Sequence, residues 1–177
     1  MPIGEENVDR LSNLKKLLDS LNKIIEKYNL PIIFSVHPRT KLQINKIKNF
    51  KLNSKVKLIK PLGFTDYIFL QKNSLCCLSD SGTITEETDI LGFNAVNLRR
   101  RHERPEGNDS GSLIMTSFDK EKIMDAIHIT INLNKNKKNS NKIKDYQEEI
   151  VSDKILKNVI SHIDYINKFI WFKNEKK

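Results

Sequence analysis

The sequence predicts an α/β fold, a Rossmann-like parallel sheet with helices on both faces. Three observations predict it. Short apolar runs rich in β-formers alternate with amphipathic stretches, the order typical of a βα repeat. Helix- and strand-ending residues such as Pro31, Pro61 and Gly92 separate these stretches. The length of 177 residues, 38% of them hydrophobic, suits one domain with an appendage and is enough to bury a core.

The predicted helices carry apolar residues three or four positions apart, which places those residues on one face. The first helix is predicted over Val8–Tyr28, and Asn29 and Pro31 end it. Its apolar face is formed by Leu11, Leu14, Leu18, Leu21 and Ile25. The other predicted helices are Leu42–Ile47, Asp66–Lys72, a stretch from Thr83 to near Gly92, Asp119–Leu133, and a tail with Ser152 as its N-cap.

The predicted strands are short and apolar, as expected for a buried parallel sheet. They are Pro31–Val36, Val56–Ile59, Leu75–Leu78, Ala95–Leu98 and Ser112–Met115. We predict that residues 1–150 form the sheet domain and that residues 151–177 form a separate C-terminal helix.

Composition argues against several classes of function. The net charge of +9 comes mostly from lysines spread along the chain, without a nucleic-acid-binding motif, so a nucleic-acid module is only an alternative. No apolar run is long enough for a transmembrane helix, and the first residues do not resemble a signal peptide. The only cysteines, Cys76 and Cys77, are adjacent, which disfavours a disulfide or a metal site and favours a reducing cytoplasm.

The segment Ser79–Glu87 (SDSGTITEE) follows a predicted strand and opens a helix. Thr83 and Glu86 have the spacing of a capping box. Gly82 permits close approach to the backbone, and a helix start offers N–H groups and a positive dipole end to a phosphate. Glu87, one turn further, would reach a ribose hydroxyl. The alternative is a tight turn with a capped helix and no ligand.

Two further segments follow predicted strands, where parallel α/β sheets bind ligands. Arg99–Asn108 (RRRHERPEGN) contains arginines and a histidine that suit a phosphate or a nucleotide. The alternative is a solvated loop with internal ion pairs such as Glu103 with Arg104. His37 precedes a proline, and for this residue a structural role is the favoured alternative.

Taken together, the segments SDSGTITEE, RRRHERPEG, SVHPRT and PLGFTDY resemble the non-hydrolysing UDP-N-acetylglucosamine 2-epimerase family. The resemblance is greatest to the branch that acts on UDP-N-acetylated deoxysugars in capsule and O-antigen synthesis. It covers nearly the whole chain but only the C-terminal half of a family member. It implies a GT-B arrangement, in which a UDP-N-acetylhexosamine binds between two Rossmann-like domains, with no metal and no cofactor. A homodimer is a further implication.

The resemblance also implies seven substrate-binding residues: His37, Tyr67, Ser81, Gly82, Thr83, Glu87 and Arg104. The range 81–83 matches the diphosphate-binding corner, although Thr83 replaces the family's second glycine. Glu87 matches the ribose-binding acid, and Arg104 matches the arginine of the Glu-Arg-Pro loop near the nucleotide. Tyr67 occupies the aromatic position beside the uracil, and His37 matches a histidine that faces the interdomain cleft.

The start of the chain departs from the family pattern. The family's C-terminal domain opens with a strand that runs into a His-Arg-Glu-Glu-Asn motif, whereas Ile3 and Gly4 here precede Glu5-Glu6-Asn7. The resemblance therefore implies that the first, central strand is missing, and that the catalytic carboxylates belong to a missing N-terminal domain or a separate chain. It identifies no catalytic residue here, and we expect the chain alone to be inactive. The terminal helix is expected to pack toward the absent domain.

Two other functions remain as alternatives. One is a remnant that binds a UDP-sugar without turnover. The other is a fragment of a glycosyltransferase with the same two-domain architecture, against which the Glu-Arg-Pro-Glu loop argues.

Overall fold

The structure, a computed structural model, describes residues 11–99, 104–135, 143–147 and 149–173. Contacts divide the chain into two compact units, Met1–Tyr146 and Gln147–Lys177. The expectations for Ile3, Gly4 and Glu103 fall outside the described residues.

Helices and strands alternate through the first unit. Its strands are β1 (Ile32–Ser35), β2 (Val56–Ile59), β3 (Cys77–Ser79), β4 (Ala95–Asn97) and β5 (Ile114–Met115). Its helices are α1 (Leu11–Tyr28), α2 (Pro38–Lys46), α3 (Phe64–Asn73), α4 (Ile84–Leu91), α5 (Pro105–Asp109) and α6 (Lys120–Lys135), followed by a short 3₁₀ turn at Lys144–Tyr146. The second unit contains α7 (Val151–Tyr165), which continues as a π-helical turn at Ile166–Ile170.

Most observed ends lie within one or two residues of the predicted ones. Helix α2 begins four residues before its predicted start because His37 is its N-cap and Pro38 occupies the first turn. Strand β3 begins two residues later than predicted. The prediction of Ser152 as an N-cap is wrong: the N-cap of α7 is Ile150, and no side chain caps it.

The strands form two parallel sheets. One contains β1 and β2, with Ile32 opposite Val56, and the other has the order β3-β4-β5, with Cys77 opposite Ala95. A doubly wound sheet of order 3-2-1-4-5-6 would place β1 and β3 on either side of its first strand. Within the described residues no strand occupies that position. The prediction that the first strand is missing concerns the part of the chain before Leu11, which lies outside the described residues.

Helices cover both faces of the β3-β4-β5 sheet. Successive side chains of a strand point to opposite faces, so neighbouring apolar residues of β4 are buried on different faces. Val96 is fully buried in the main core, which also holds Leu18 of α1 and Ile123 of α6. Its neighbour Ala95 belongs to a second, smaller cluster with Ile84 of α4. Helices α1 and α6 pack against each other, which brings the two ends of the first unit together.

Helix α7 carries a hydrophobic stripe at three- and four-residue spacing. Its exposed residues include this stripe: Ile155, Leu156, Val159, Ile160 and Ile163. In the π-helical turn, Phe169 lies 5.4 Å from the ring centroid of Tyr165. Among the described helices, none combines the length and the apolarity needed to cross a membrane. Packing of this unit toward an N-terminal domain stays a prediction.

Cys76, just before β3, and Cys77, its first residue, have free and partly buried thiols. Burial, with a smaller contribution from the other thiol, raises the pKa of Cys76 to about 12, and burial likewise raises the pKa of Cys77 to about 11.

These pKa values predict slow alkylation of both thiols. At pH 8 a thiol of pKa 12 is ionised in roughly one molecule in ten thousand, whereas an unfolded cysteine is about one quarter ionised. We expect iodoacetamide at pH 8 to label the folded chain at least about 100-fold more slowly than the chain in guanidinium, since burial also blocks access. Equal labelling rates in the two conditions would show that the sheet around β3 is open.

Candidate functional site

The corner between β3 and α4 is built from short side chains. The backbone N–H of Ser81 donates to the Ser79 hydroxyl at 3.1 Å, and the hydroxyls of Ser81 and Thr83 lie 2.9 Å apart. Asp80, which lies between Ser79 and Ser81 in the sequence, is buried. Gly92 ends α4 with φ +72°, a left-handed conformation that suits glycine, as the sequence predicts.

The predicted capping box at this corner is wrong. Thr83 has helical backbone angles and makes no capping hydrogen bond to the first turn of α4. Its hydroxyl donates instead to Oε1 of Glu87 at 2.8 Å. No side chain among the described residues caps this helix start. Its N–H groups and the positive end of its dipole therefore remain suited to an anion.

Glu87 is held by three donors. Thr83 donates to Oε1, while the amide nitrogen of Gln71 and the hydroxyl of Tyr67 donate to Oε2 at 2.5 and 3.4 Å. Tyr67 and Gln71 lie four residues apart on α3, so both side chains lie on the same face of that helix. The carboxylate is thus fixed beside the start of α4, with lone pairs left to accept from a ligand hydroxyl.

Tyr67 keeps its proton under all ordinary conditions. Burial is the main cause that raises its pKa, followed by the nearby Cys77 thiol and the Glu87 carboxylate. A neutral phenol can donate to Glu87 and present its ring to a planar group. The sequence singled out Tyr67 but missed Gln71, although the four-residue spacing on a predicted helix was a usable signal.

Arg104 lies beside the same helix start. Its Nε donates to Oε1 of Glu86 at 2.6 Å, and both side chains are about one third exposed or less. Oε2 of Glu86 is buried and has no partner among the described residues. Glu86 therefore orients the arginine, whereas the capping-box prediction had assigned it to Thr83.

The short helix α5 packs directly on α4. Gly107 lies so close to Thr85 that a Cβ on this glycine would come within 1.9 Å of the Thr85 methyl carbon. Its neighbour Glu106 accepts a hydrogen bond from the Tyr146 hydroxyl at 2.8 Å. A backbone hydrogen bond at Glu106 and this hydroxyl hold the pKa of the Glu106 carboxyl below its usual range. Both contacts fix the loop that carries Arg104.

Asn97 is a site residue that sequence reasoning missed. It ends β4, is buried, and donates from Nδ2 to the Ser81 carbonyl at 3.5 Å. Its Oδ1 is buried without a partner in the described part of the chain. A polar residue at the carboxyl end of a predicted strand was the available signal.

His37 lies apart from the cluster around Glu87. It follows β1, is exposed, and accepts from the backbone N–H of Arg39 at 3.4 Å as the N-cap of α2. This is the structural role that the sequence favoured, and its role in substrate binding stays a prediction. The described residues contain no group of three acidic, histidine or cysteine side chains that would hold a metal ion.

The parallel sheets and their helices define a Rossmann-like α/β domain with its polar cluster at the strand ends. The sequence model of the UDP-N-acetylglucosamine 2-epimerase family matches residues 4–160. The chain belongs to this family, which confirms the resemblance and favours it over the glycosyltransferase alternative.

Individual relatives agree with the family match. The UDP-N-acetylglucosamine 2-epimerase of Methanocaldococcus jannaschii is 40% identical over 137 residues, which is 76% of this chain and 37% of that protein. The solved structure of the Rickettsia bellii enzyme of the same name superposes with a TM-score of 0.80 at 45% identity, covering 98% of this chain and 46% of that one. A structure of the Methanocaldococcus jannaschii enzyme with UDP-GlcNAc and UDP gives a TM-score of 0.74 at 33% identity, with coverages of 90% and 44%.

The chain spans less than half the length of each of these relatives. The fold is that of the C-terminal part of a GT-B enzyme. The activity and substrates of the whole enzymes are therefore proposals for this chain.

Proposed function

We propose that this chain is the nucleotide-binding half of a UDP-N-acetylglucosamine 2-epimerase, and that it binds the UDP part of a UDP-N-acetylhexosamine. The observation that supports this most is Glu87, a carboxylate fixed by three donors at the uncapped start of α4. A fixed carboxylate is suited to accept from a ribose hydroxyl, and the helix start is suited to accept a diphosphate.

The proposed positions follow the order of groups in UDP. The diphosphate lies against the backbone of Ser81, Gly82 and Thr83, where the dipole of α4 and the charge of Arg104 offset its negative charge. The ribose lies at Glu87. The uracil lies toward Tyr67, whose ring offers a flat apolar surface.

In this proposal the complete enzyme inverts C2 of the sugar in two stages. Loss of the C2 proton and cleavage of the C1–O bond release UDP and leave a C1=C2 double bond, and UDP then adds back to C1 after protonation of C2 on the other face. That reaction needs an acid and a base at the sugar. The cluster described here holds a nucleotide, so the half that the chain does not span supplies those groups. The chain alone is inactive, and its partner is that half, on the same or a separate polypeptide. A homodimer stays a prediction.

We place the protein in the cytoplasm, in the synthesis of bacterial surface polysaccharide. The free thiols of Cys76 and Cys77 suit a reducing compartment. The similarity to a UDP-2,3-diacetamido-2,3-dideoxy-D-glucuronate 2-epimerase of Pseudomonas aeruginosa, at 27% identity over 127 residues, supports a role on an N-acetylated sugar nucleotide.

Thermal unfolding with UDP tests the nucleotide site. A ligand at about 100 times its Kd stabilises a folded chain by about 2.7 kcal/mol, which raises the Tm of a chain of this size by about 5–10 °C. We expect UDP to do so and uridine, which lacks the diphosphate, to do much less. A cooperative transition that UDP does not move would contradict the proposal. Salt-sensitive RNA binding that UDP does not displace would support the nucleic-acid alternative instead.

A further inference from the structure

The 3₁₀ turn that closes the first unit is held at both ends by carboxylates of two other helices. At its start, the backbone N–H of Ile143 donates to Asp89 of α4 and lies 3.2 Å from each carboxylate oxygen. At its end, the hydroxyl of Tyr146 donates to Oε1 of Glu106 on α5 at 2.8 Å. The N–H of Tyr146 donates to the Ile143 carbonyl at 3.1 Å, which closes the turn. We call residues 143–146 the strap, because they connect α4 to α5.

The start of the strap is buried against α4. Ile143 is 5% exposed and Asp89 is 8% exposed, so water is largely kept from the hydrogen bond between them. Hydrogen bonds to a charged group are stronger than those between neutral groups, and a buried carboxylate that loses a donor is destabilised. The contact of the strap with α4 is therefore a specific one, although the two residues lie 54 positions apart in the sequence.

Helix α5 and the strap cover the same face of α4. Thr85 and Asp89 are four residues apart on that helix, so their side chains share a face. Gly107 of α5 packs against Thr85, and Ile143 of the strap binds Asp89. A helix of five residues, such as α5, has little stability of its own and depends on contacts of this kind. The strap thus clamps α5 to α4, since one of its ends holds each helix.

The clamp reaches the arginine of the candidate site. Arg104 directly precedes α5, donates from Nε to Glu86 at 2.6 Å, and accepts at its carbonyl from the Gly107 N–H at 3.2 Å. Burial and the hydrogen bond to Glu106 raise the pKa of Tyr146, and the charges of Glu86 and Arg104 shift this pKa further in opposite directions. The Tyr146 hydroxyl is therefore close to the ion pair as well as to α5.

We propose that docking of the strap positions Arg104 for the diphosphate, and that nucleotide binding and strap docking stabilise each other. Tyr146 and Asp89 are then positioning residues, which act on the ligand through α5 and α4. The part that concerns the diphosphate rests on the proposed function. The mutual effect follows from linkage: if docking raises the affinity for UDP by some factor, UDP favours docking by the same factor.

The first test measures hydrogen exchange of the full chain without nucleotide. Tyr146→Phe removes only the hydroxyl that donates to Glu106, and Tyr165→Phe in α7 is the matched control. We expect Tyr146→Phe to speed exchange at the N–H groups of Ile143 and Gly107 by about three- to tenfold, and the control to leave both unchanged. Unchanged exchange at Gly107 in the Tyr146 variant would overturn the proposal.

The second test measures UDP affinity by isothermal titration in two backgrounds. Tyr146→Phe should weaken UDP binding about three- to tenfold in the chain with its native Arg104, and should have no effect after Arg104→Ala, because the strap acts through that arginine. A merely structural role of Tyr146 would weaken binding equally in both backgrounds. Equal losses, or no loss with the native arginine, would therefore refute the positioning role.

The third test measures the mutual effect directly. Saturating UDP should slow exchange at the N–H of Ile143 by about threefold or more, since it favours the docked strap. The N–H of Asn53, which donates to Asn22 before β2 at 2.8 Å, is the reference and should not change. UDP that binds without slowing exchange at Ile143 would contradict the coupling. If the chain binds no UDP, the proposed function fails and the coupling with it, whereas exchange without nucleotide still decides whether the strap holds α5.

Discussion

Glu87→Ala should weaken UDP binding about 10- to 150-fold. The change removes a carboxylate that three donors fix in place, and hydrogen bonds to a charged group contribute about 1.5–3 kcal/mol. It also frees Gln71 and Tyr67 to move away from the start of α4. Isothermal titration with UDP measures the loss directly.

Two comparisons make this result specific. Glu121→Ala removes an exposed carboxylate from α6 and should leave UDP affinity unchanged. Both variants should still unfold cooperatively and be folded at the temperature of the titration, so that weaker binding cannot be attributed to unfolding. A Kd for the Glu87 variant within about twofold of the unmodified chain, given a measurable affinity, would exclude Glu87 from the site.

Gly107→Ala should destabilise the chain by about 1–3 kcal/mol, the usual cost of an extra methyl group in a packed contact. The new Cβ would lie 1.9 Å from Cγ2 of Thr85, and Thr85 is buried and cannot swing away freely. The clash pushes α5 off α4 and moves Arg104 from Glu86. Thermal unfolding and UDP titration should therefore both detect this change.

A double-mutant cycle separates this clash from a general effect of alanine. Thr85→Ser removes the methyl carbon that the new Cβ would meet, so Gly107→Ala should cost much less in that background. If the serine background gives the same loss of Tm, the contact between α4 and α5 is not the cause.

The sequence predicted the fold well because hydrophobic periodicity identifies elements over several residues. The helix from Leu11 to Tyr28 and the strand at Val56–Ile59 follow directly from it. The ends of the elements were harder to predict. The apolar run at Leu75–Leu78, for example, does not show which of its residues pair with a neighbouring strand. The ladder begins only at Cys77, and Leu75 instead accepts from the side chain of Asn94 at 3.0 Å.

The candidate site was predictable where its chemistry is local. Glu87 and the range 81–83 could be found because strand, turn and helix start are consecutive in sequence. The pairs Glu86 with Arg104 and Glu106 with Tyr146 could not be found, because each joins residues that only the tertiary fold brings together. Thr83 shows the limit within one turn: its hydroxyl can accept from a backbone N–H, as in a capping box, or donate to a carboxylate, and the spacing alone does not decide between the two.

The order of strand pairing also determines how much of the chain each tertiary contact encloses. Each sheet pairs only strands that are neighbours in sequence, β1 with β2 and then β3 through β5 in order, so these ladders close short loops. The packing of α1 on α6 instead joins the beginning of the first unit to its last long helix. Loop-closure entropy grows with the length of chain enclosed. Among these contacts, the pairing of α1 with α6 therefore has the largest entropic cost.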